Sequence, residues 1–301
     1  MGVWLDWEAQ GARITQNLMH DNNRPKGVEQ APGAMFNTDV FIEVGHGPTL
    51  IDNNLLLSPV SITIPSEGIA VLHNLVLGSF SLINSGVDSI VNGQREPRYT
   101  PYHIRHRTEV AGFMTILHGD DRIYNNIFVQ QYPVTDKKRT AENADYEVVG
   151  TAPFDIFPTE EEWKDQFDFE KHPDMGGLAK AHFGHLPVWV EGNAYFNGAT
   201  VSKHEKHAAK GGKTKATVVL KKSKEKWTLK TNVYSALKDF NDNLLNTNAL
   251  GTAFEPEQAF ENPDGTPITF DREYFGDQRR LSVLPGPFGS AVAATKEITV
   301  W

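Results

Sequence analysis

The chain has 301 residues, a net charge of −9 and no cysteine. That length supplies one large domain or two ordinary ones, and zero Cys excludes disulfide staples, thiolate nucleophiles, zinc ribbons and iron–sulfur clusters. The acidic balance argues against a nucleic-acid partner, no apolar run approaches the roughly 18 residues of a membrane span, and no secretory signal pattern opens the chain.

The first predicted element is a buried strand at Met1 to Trp7, and the chain enters it with no lead-in. A loose template then recurs: an aliphatic residue, two further residues, Asn, and a small or aliphatic residue. It fits Ile14 to Leu18, Ile51 to Leu55, Val71 to Leu75, Ile123 to Ile127 and Val190 to Ala194. The asparagines are Asn17, Asn54, Asn74, Asn126 and Asn193, spaced by 37, 20, 52 and 67 residues. Twenty residues is close to one bare coil of a parallel β-solenoid, and the longer spacings fit coils with loops inserted. Asn suits such corners because it tolerates left-handed dihedrals, and stacked Asn amides can bond from coil to coil. The fold class expected is therefore all-β: a parallel β-helix (solenoid) over residues 1–235, with loop insertions. One excursion is placed at 133–182, with a short helix at Glu160 to Phe167 opened by Thr159 as N-cap. A basic hairpin is placed at 203–230, where ten lysines face only Glu205 and Glu225. No aromatic interleaving accompanies them, so they read as the solvated face of two short strands. Residues 236–301, with several Pro and Gly, read as an irregular C-terminal cap packed on the helix and ending in a last strand.

Two acids stand inside apolar strands. Asp6 lies between Trp4 and Trp7, and Glu43 follows Val40, Phe41 and Ile42. Each costs several kcal/mol (about 2–7 for a buried polar group) unless paired, hydrogen-bonded or on a solvated face. Asp6 lies 11 residues before Asn17, and Glu43 lies 11 before Asn54. If the asparagines mark one corner, the acids occupy equivalent positions on neighbouring strands, about 4.8 Å apart. The intervening stretch from Arg24 to Phe36 must then bulge out elsewhere. Retaining glycosidases need two carboxyl groups about 5–5.5 Å apart. Such a pair pushes its own pKa values apart, leaving one ionised and one protonated partner.

Several groups of residues resemble glycoside hydrolase family 120, the β-xylosidases. They are Trp4-Leu5-Asp6-Trp7 with Gln10-Gly11, Phe41-Ile42-Glu43-Val44-Gly45-His46-Gly47-Pro48, Thr100-Pro101-Tyr102-His103 and Gly119-Asp120-Asp121-Arg122-Ile123-Tyr124-Asn125-Asn126. Phe254-Glu255-Pro256-Glu257 and Leu284-Pro285-Gly286-Pro287-Phe288 are similar too. The resemblance implies a right-handed parallel β-helix, retaining hydrolysis of xylo-oligosaccharides, and neither metal nor cofactor in the chemistry. It implies Asp6 as nucleophile, Glu43 as general acid/base, and a lean towards a homo-oligomer. It also implies that this is the C-terminal, catalytic-pair-bearing part of a chain about twice as long, which leaves the compartment open. Trp4 and Trp7 are candidate sugar platforms or apolar walls. Gln10, His46, Glu67 and His103 are candidate substrate contacts.

Weaker motifs fail on spacing. Gly211 to Thr214 lacks the first glycine of a phosphate loop, and His204 and His207 lack the spacing of a zinc helix. Asp120 and Asp121 fall far short of a calcium site's oxygens. Two other functions compete: a β-helix polysaccharide lyase, which needs a base and commonly calcium, and a non-catalytic carbohydrate-binding or structural solenoid.

Overall fold

The computed structural model describes residues 1–22, 37–81, 88–132, 149–210, 215–237, 239–279, 283–293 and 297–301. The expected insertion at 24–36, the first part of the 133–182 excursion and the 211–214 motif lie outside the described residues.

The chain visits three parallel sheets in turn. Strands β1 (Val3–Leu5), β2 (Ala12–Thr15) and β3 (Leu18–Met19) are followed by β4 (Val40–Ile42), β5 (Thr49–Asp52) and β6 (Leu55–Leu56). Then come β7 (Val60–Thr63), β8 (Ile69–Leu72), β9 (Leu75–Val76) and β10 (Ser79–Ser81). After two antiparallel hairpins, β11 (Asp88–Val91) with β12 (Gln94–Pro97) and β13 (Tyr99–His103) with β14 (Val110–Thr115), the chain rejoins the sheets. It does so as β15 (Asp121–Tyr124), β16 (Ile127–Val129), β17 (Val188–Glu191), β18 (Ala194–Phe196) and β19 (Ala209–Lys210). The sheet orders are β1-β4-β7-β10, β2-β5-β8-β15-β17 and β3-β6-β9-β16-β18-β19. A separate antiparallel sheet joins β20 (Val218–Ser223), β21 (Lys226–Thr231) and β22 (Glu297–Thr299). Lys221, Lys222, Lys224 and Lys226 are exposed on it.

The expectation of an all-β parallel β-helix is corrected by the helices that share the chain with these sheets. They are α1 (Glu160–Asp165), α2 (Met175–His182), α3 (Thr247–Leu250), α4 (Ser290–Ala293) and 3₁₀ turns at Ala152–Ile156 and Val233–Ala236. Parallel sheets with interspersed helices make an α/β-type layout, not an all-β solenoid. The physical reason is local. Thr159 and Glu162 form a reciprocal capping box on α1, and the Asp174 carboxylate accepts from Gly176 and Gly177 N–H to open α2. The asparagine template reports only strand corners and is silent about the segments between them. Among the described residues, no helix is long and apolar enough to cross a membrane.

The five asparagines stack. Asn54 Oδ1 accepts from the backbone N–H and Nδ2 of Asn17 at 3.0 and 2.9 Å, and Asn74 does the same for Asn54 at 2.9 and 3.0 Å. Asn126 serves Asn74, and Asn193 serves Asn126, with the same geometry. Glu205 ends the row, accepting from Asn193 Nδ2 at 2.8 Å. The left-handed residue is the one before each asparagine: Gln16, Asn53, His73, Asn125 and Gly192 have φ of 58°, 56°, 54°, 56° and 73°. The ladder asparagine is thus a bonding residue, and its predecessor makes the bend.

Inside the stack, Ile14, Ile51, Val71, Ile123 and Val190 form one buried column, with Phe80, Phe128 and Phe154 packed against it. On the second sheet's other face, Phe260, Ile268 and Phe270 cover Leu50, Ala70 and Leu72. Adjacent turns touch backbone to backbone: a Cβ on Gly47, at φ +71°, would sit 2.1 Å from the Gly68 carbonyl oxygen.

Candidate active site

The sequence reading takes residues 1–7 as a buried strand. Among the described residues β1 is the edge of its sheet, paired with β4, and Trp4 is 47% and Trp7 43% exposed. Val3, Trp4 and Leu5 pair with Val40, Phe41 and Ile42, and Glu43 N–H donates to the Leu5 carbonyl at 2.8 Å. Asp6 and Glu43 therefore follow paired residues at the ends of adjacent strands. Their shared offset from the ladder corresponds to the register Ile14–Ile51 further along.

Glu43 sits among defined partners. Trp4 Nε1 donates to its Oε2 at 3.0 Å, and Arg98 Nη1 lies 3.9 Å from its Oε1. Its carboxyl is raised above its ordinary value, first by burial and then by the charge of Asp6. The Trp4 N–H and the Arg98 charge act the other way. Asp6 is exposed, and its Oδ1 accepts from the Trp7 backbone N–H at 2.8 Å. The guanidinium carbon of Arg98 lies 4.3 Å from the Trp7 ring centroid. Both tryptophans are thus engaged, Trp4 by its N–H with the acid and by a tilted contact with Phe41 at 5.9 Å, Trp7 by a cation on its face.

The other predicted residues fall into two neighbouring groups. Gln10 bridges: its Nε2 donates to the His103 carbonyl at 3.1 Å and to Gln258 Oε1 at 2.8 Å, and its Oε1 accepts from His103 N–H at 2.9 Å. His103 Nε2 is 3.2 Å from Glu8 Oε2. Gln10, His103, Gln258 and Glu261 line a cavity of about 240 Å³ beside this network. His46 and Glu67 lie buried below. His46 Nδ1 is 2.6 Å from Glu67 Oε1, its Nε2 is 3.1 Å from the Thr100 carbonyl, and Leu117 N–H donates to Glu67 Oε2. Burial disfavours the imidazolium, but the Glu67 hydrogen bond and charge outweigh it and raise the His46 pKa. With an acceptor at each nitrogen, the ring has two acceptors for its two N–H groups.

Sequence reasoning missed the element that joins these groups. The hairpin β13–β14 brings Arg98 to Glu43 and Trp7, the Thr100 carbonyl to His46, and His103 to Gln10 and Glu8. Arg98 precedes the quoted Thr100 to His103 motif by two residues, so that motif was the only available signal. Glu255, from the C-terminal segment, also faces this region. Its carboxyl is raised by burial and by Glu67, and held down by His46 and His182.

One solved structure is similar along nearly the whole chain. It is described as the complex of XylC with xylose, and it matches with 29% sequence identity and a TM-score of 0.77. The match covers 99% of this chain and 41% of that one, so the chain spans about two-fifths of that protein's length. No protein-family model and no curated protein matches the chain. The likeness to XylC supports a relative of a xylose-binding protein; it does not reach glycoside hydrolase family 120 as such.

Proposed function

We propose that this chain carries the carboxylate pair of a retaining glycoside hydrolase that removes xylose from the ends of β-xylo-oligosaccharides. The observation that carries the reading is the Asp6–Glu43 pair. The two acids follow paired residues at the ends of adjacent strands, and burial and the charge of Asp6 bias Glu43 towards its protonated form while Asp6 faces solvent. The likeness to a protein solved with xylose supports a pentoside as the substrate class.

The chemistry follows from the two environments. Asp6, as the ionised partner, attacks the anomeric carbon while the glycosidic C–O bond breaks. Glu43, as the protonated partner, gives its proton to the departing oxygen. In the second step Glu43, now ionised, takes a proton from water. That water attacks the same carbon, the bond to Asp6 breaks, and the anomeric configuration is retained. Burial and the neighbouring charge of Asp6 keep Glu43 protonated at a pH where an ordinary carboxyl has lost its proton.

The test uses this chain with an aryl β-xyloside and with xylobiose. Asp6→Asn is expected to lower kcat by about 10⁴-fold or more, and Glu43→Gln to lower it by about 10²–10⁴-fold with xylobiose, with unchanged circular dichroism. Glu43→Gln with the aryl substrate should regain turnover when azide is added, because azide needs no general base. Full activity of Asp6→Asn would overturn the reading.

A further inference from the structure

The carboxylate pair receives a third charged group from a distant part of the chain. Arg98 stands at the mouth of the β13–β14 hairpin, far along the sequence from either acid. Its guanidinium carbon is 4.3 Å from the Trp7 ring centroid, and its Nη1 is 3.9 Å from Glu43 Oε1. Both side chains are mostly covered, at 25% exposure for Arg98 and 16% for Glu43. At 3.9 Å the contact is an ion pair without a hydrogen bond, so its effect is one of charge and not of proton sharing.

We infer that Arg98 is a positioning residue that sets the proton affinity of Glu43, with Trp7 as the plate that holds its guanidinium in place. This rests on the proposed roles of Asp6 and Glu43. Three observations support it. A planar guanidinium stacks on an indole face where a lysine ammonium has no matching plane. The opposite side of Glu43 is occupied by the Trp4 N–H, so the carboxylate lies between two fixed donors of positive potential. Among the described residues, Asp6 and Arg98 are the charges that act on Glu43, and they pull in opposite directions, Asp6 raising its proton affinity and Arg98 lowering it.

The device has a catalytic meaning. Glu43 must hold a proton in the first step and accept one in the second. In the first step the Asp6 charge raises the proton affinity of Glu43. In the second step Asp6 is bonded to the sugar and that charge is gone, so Arg98 remains as the charge favouring the ionised form that Glu43 needs to act as a base.

The test compares Arg98→Met, Arg98→Lys and the native chain by two readouts. One is the pH profile of kcat/KM on an aryl β-xyloside. The other is a ¹³C-carboxyl NMR titration of Glu43, assigned with Glu43→Gln, which does not depend on activity. In Arg98→Met, the Glu43 titration and the alkaline limb of the profile are both expected to move up by about one pH unit. Arg98→Lys, which keeps the charge, should titrate close to the native chain and rescue most of the shift. A uniform loss of rate with no movement of either curve in Arg98→Met overturns the inference, because an anchor for the hairpin would act that way. A moved NMR titration in a chain whose Asp6→Asn variant stays fully active upholds the charge effect and sinks the assignment of Asp6 as nucleophile instead.

Discussion

The asparagine row and the carboxylate edge are made by the same device, like residues stacked on adjacent parallel strands, with opposite outcomes. An amide carries both a donor and an acceptor. From Asn54 to Asn193 each Oδ1 therefore meets the N–H groups of the asparagine before it, and those four asparagines are buried. Two ionised carboxylates carry acceptors only. Setting Asp6 beside Glu43 creates a conflict that a proton on one of them relieves, and burial together with the Asp6 charge raises the proton affinity of Glu43. One repeat therefore gives hydrogen-bonded pairing where the stacked group is self-complementary, and a shifted proton affinity where it is not.

Removing one rung should break the contrast most heavily. Asn74→Ala strands the backbone N–H and Nδ2 of Asn54 and exposes the carbonyls of Ile51 and Leu72 to an empty space. A loss of about 3 kcal/mol is expected from urea unfolding, against about 1 kcal/mol for Asn17→Ala at the end of the row. Equal losses would mean that the row acts as separate corners and not as a ladder.

Asp39 gives a buried acid, raised first by burial, to compare with Glu43. Burial raises it from 3.8 to about 6, against the Asn22 and Ser58 hydrogen bonds that hold it down. Between those values the folded state keeps a proton that the unfolded state has released. The Asp39 contribution to stability therefore falls as pH rises from about 4 to about 6. Asp39→Asn should remove that dependence. Its stability relative to the native chain should rise on the order of 2–3 kcal/mol across the window, read from urea midpoints at pH 4, 5, 6 and 7. A flat difference would place the shift elsewhere.

The smallest change sharpens the edge itself. Trp4→Phe keeps the ring against Phe41 and removes the N–H that lowers Glu43. The alkaline limb of the kcat/KM profile should move up by a few tenths of a pH unit, less than in Arg98→Met. A downward movement would show that Trp4 acts on the acid by some means other than its donor.

Much of this geometry is written in short-range pattern. The asparagine template marks all five corners, and the equal offsets of Asp6 and Glu43 give their register, because both follow from period and spacing along one strand. The helices of 149–182 and the C-terminal half obey other rules. Caps such as Asp174, and the docking of Phe260 and Phe270 on Leu50 and Leu72, depend on local turns or on distant partners. The reading of Trp4 and Trp7 as sugar platforms could not foresee that Glu43 engages one and Arg98 the other. Arg98 itself shares no periodicity with the strands it serves, and Gln10 meets Gln258 from 248 residues away.

The ladder separates distance along the chain from distance in space. Its rungs follow one another after 37, 20, 52 and 67 residues, yet each steps to the next through the same pair of hydrogen bonds. Each corner re-synchronises the backbone, so the loop before it can lengthen or shorten without shifting the strand after it. The β13–β14 hairpin is one such free-length excursion. It lies between Asn74 and Asn126, and Arg98 at its start reaches the end of the first strand while the rungs on either side keep their bonds. A fold with this property can gain new functional groups by insertion, with the two acids held in register throughout.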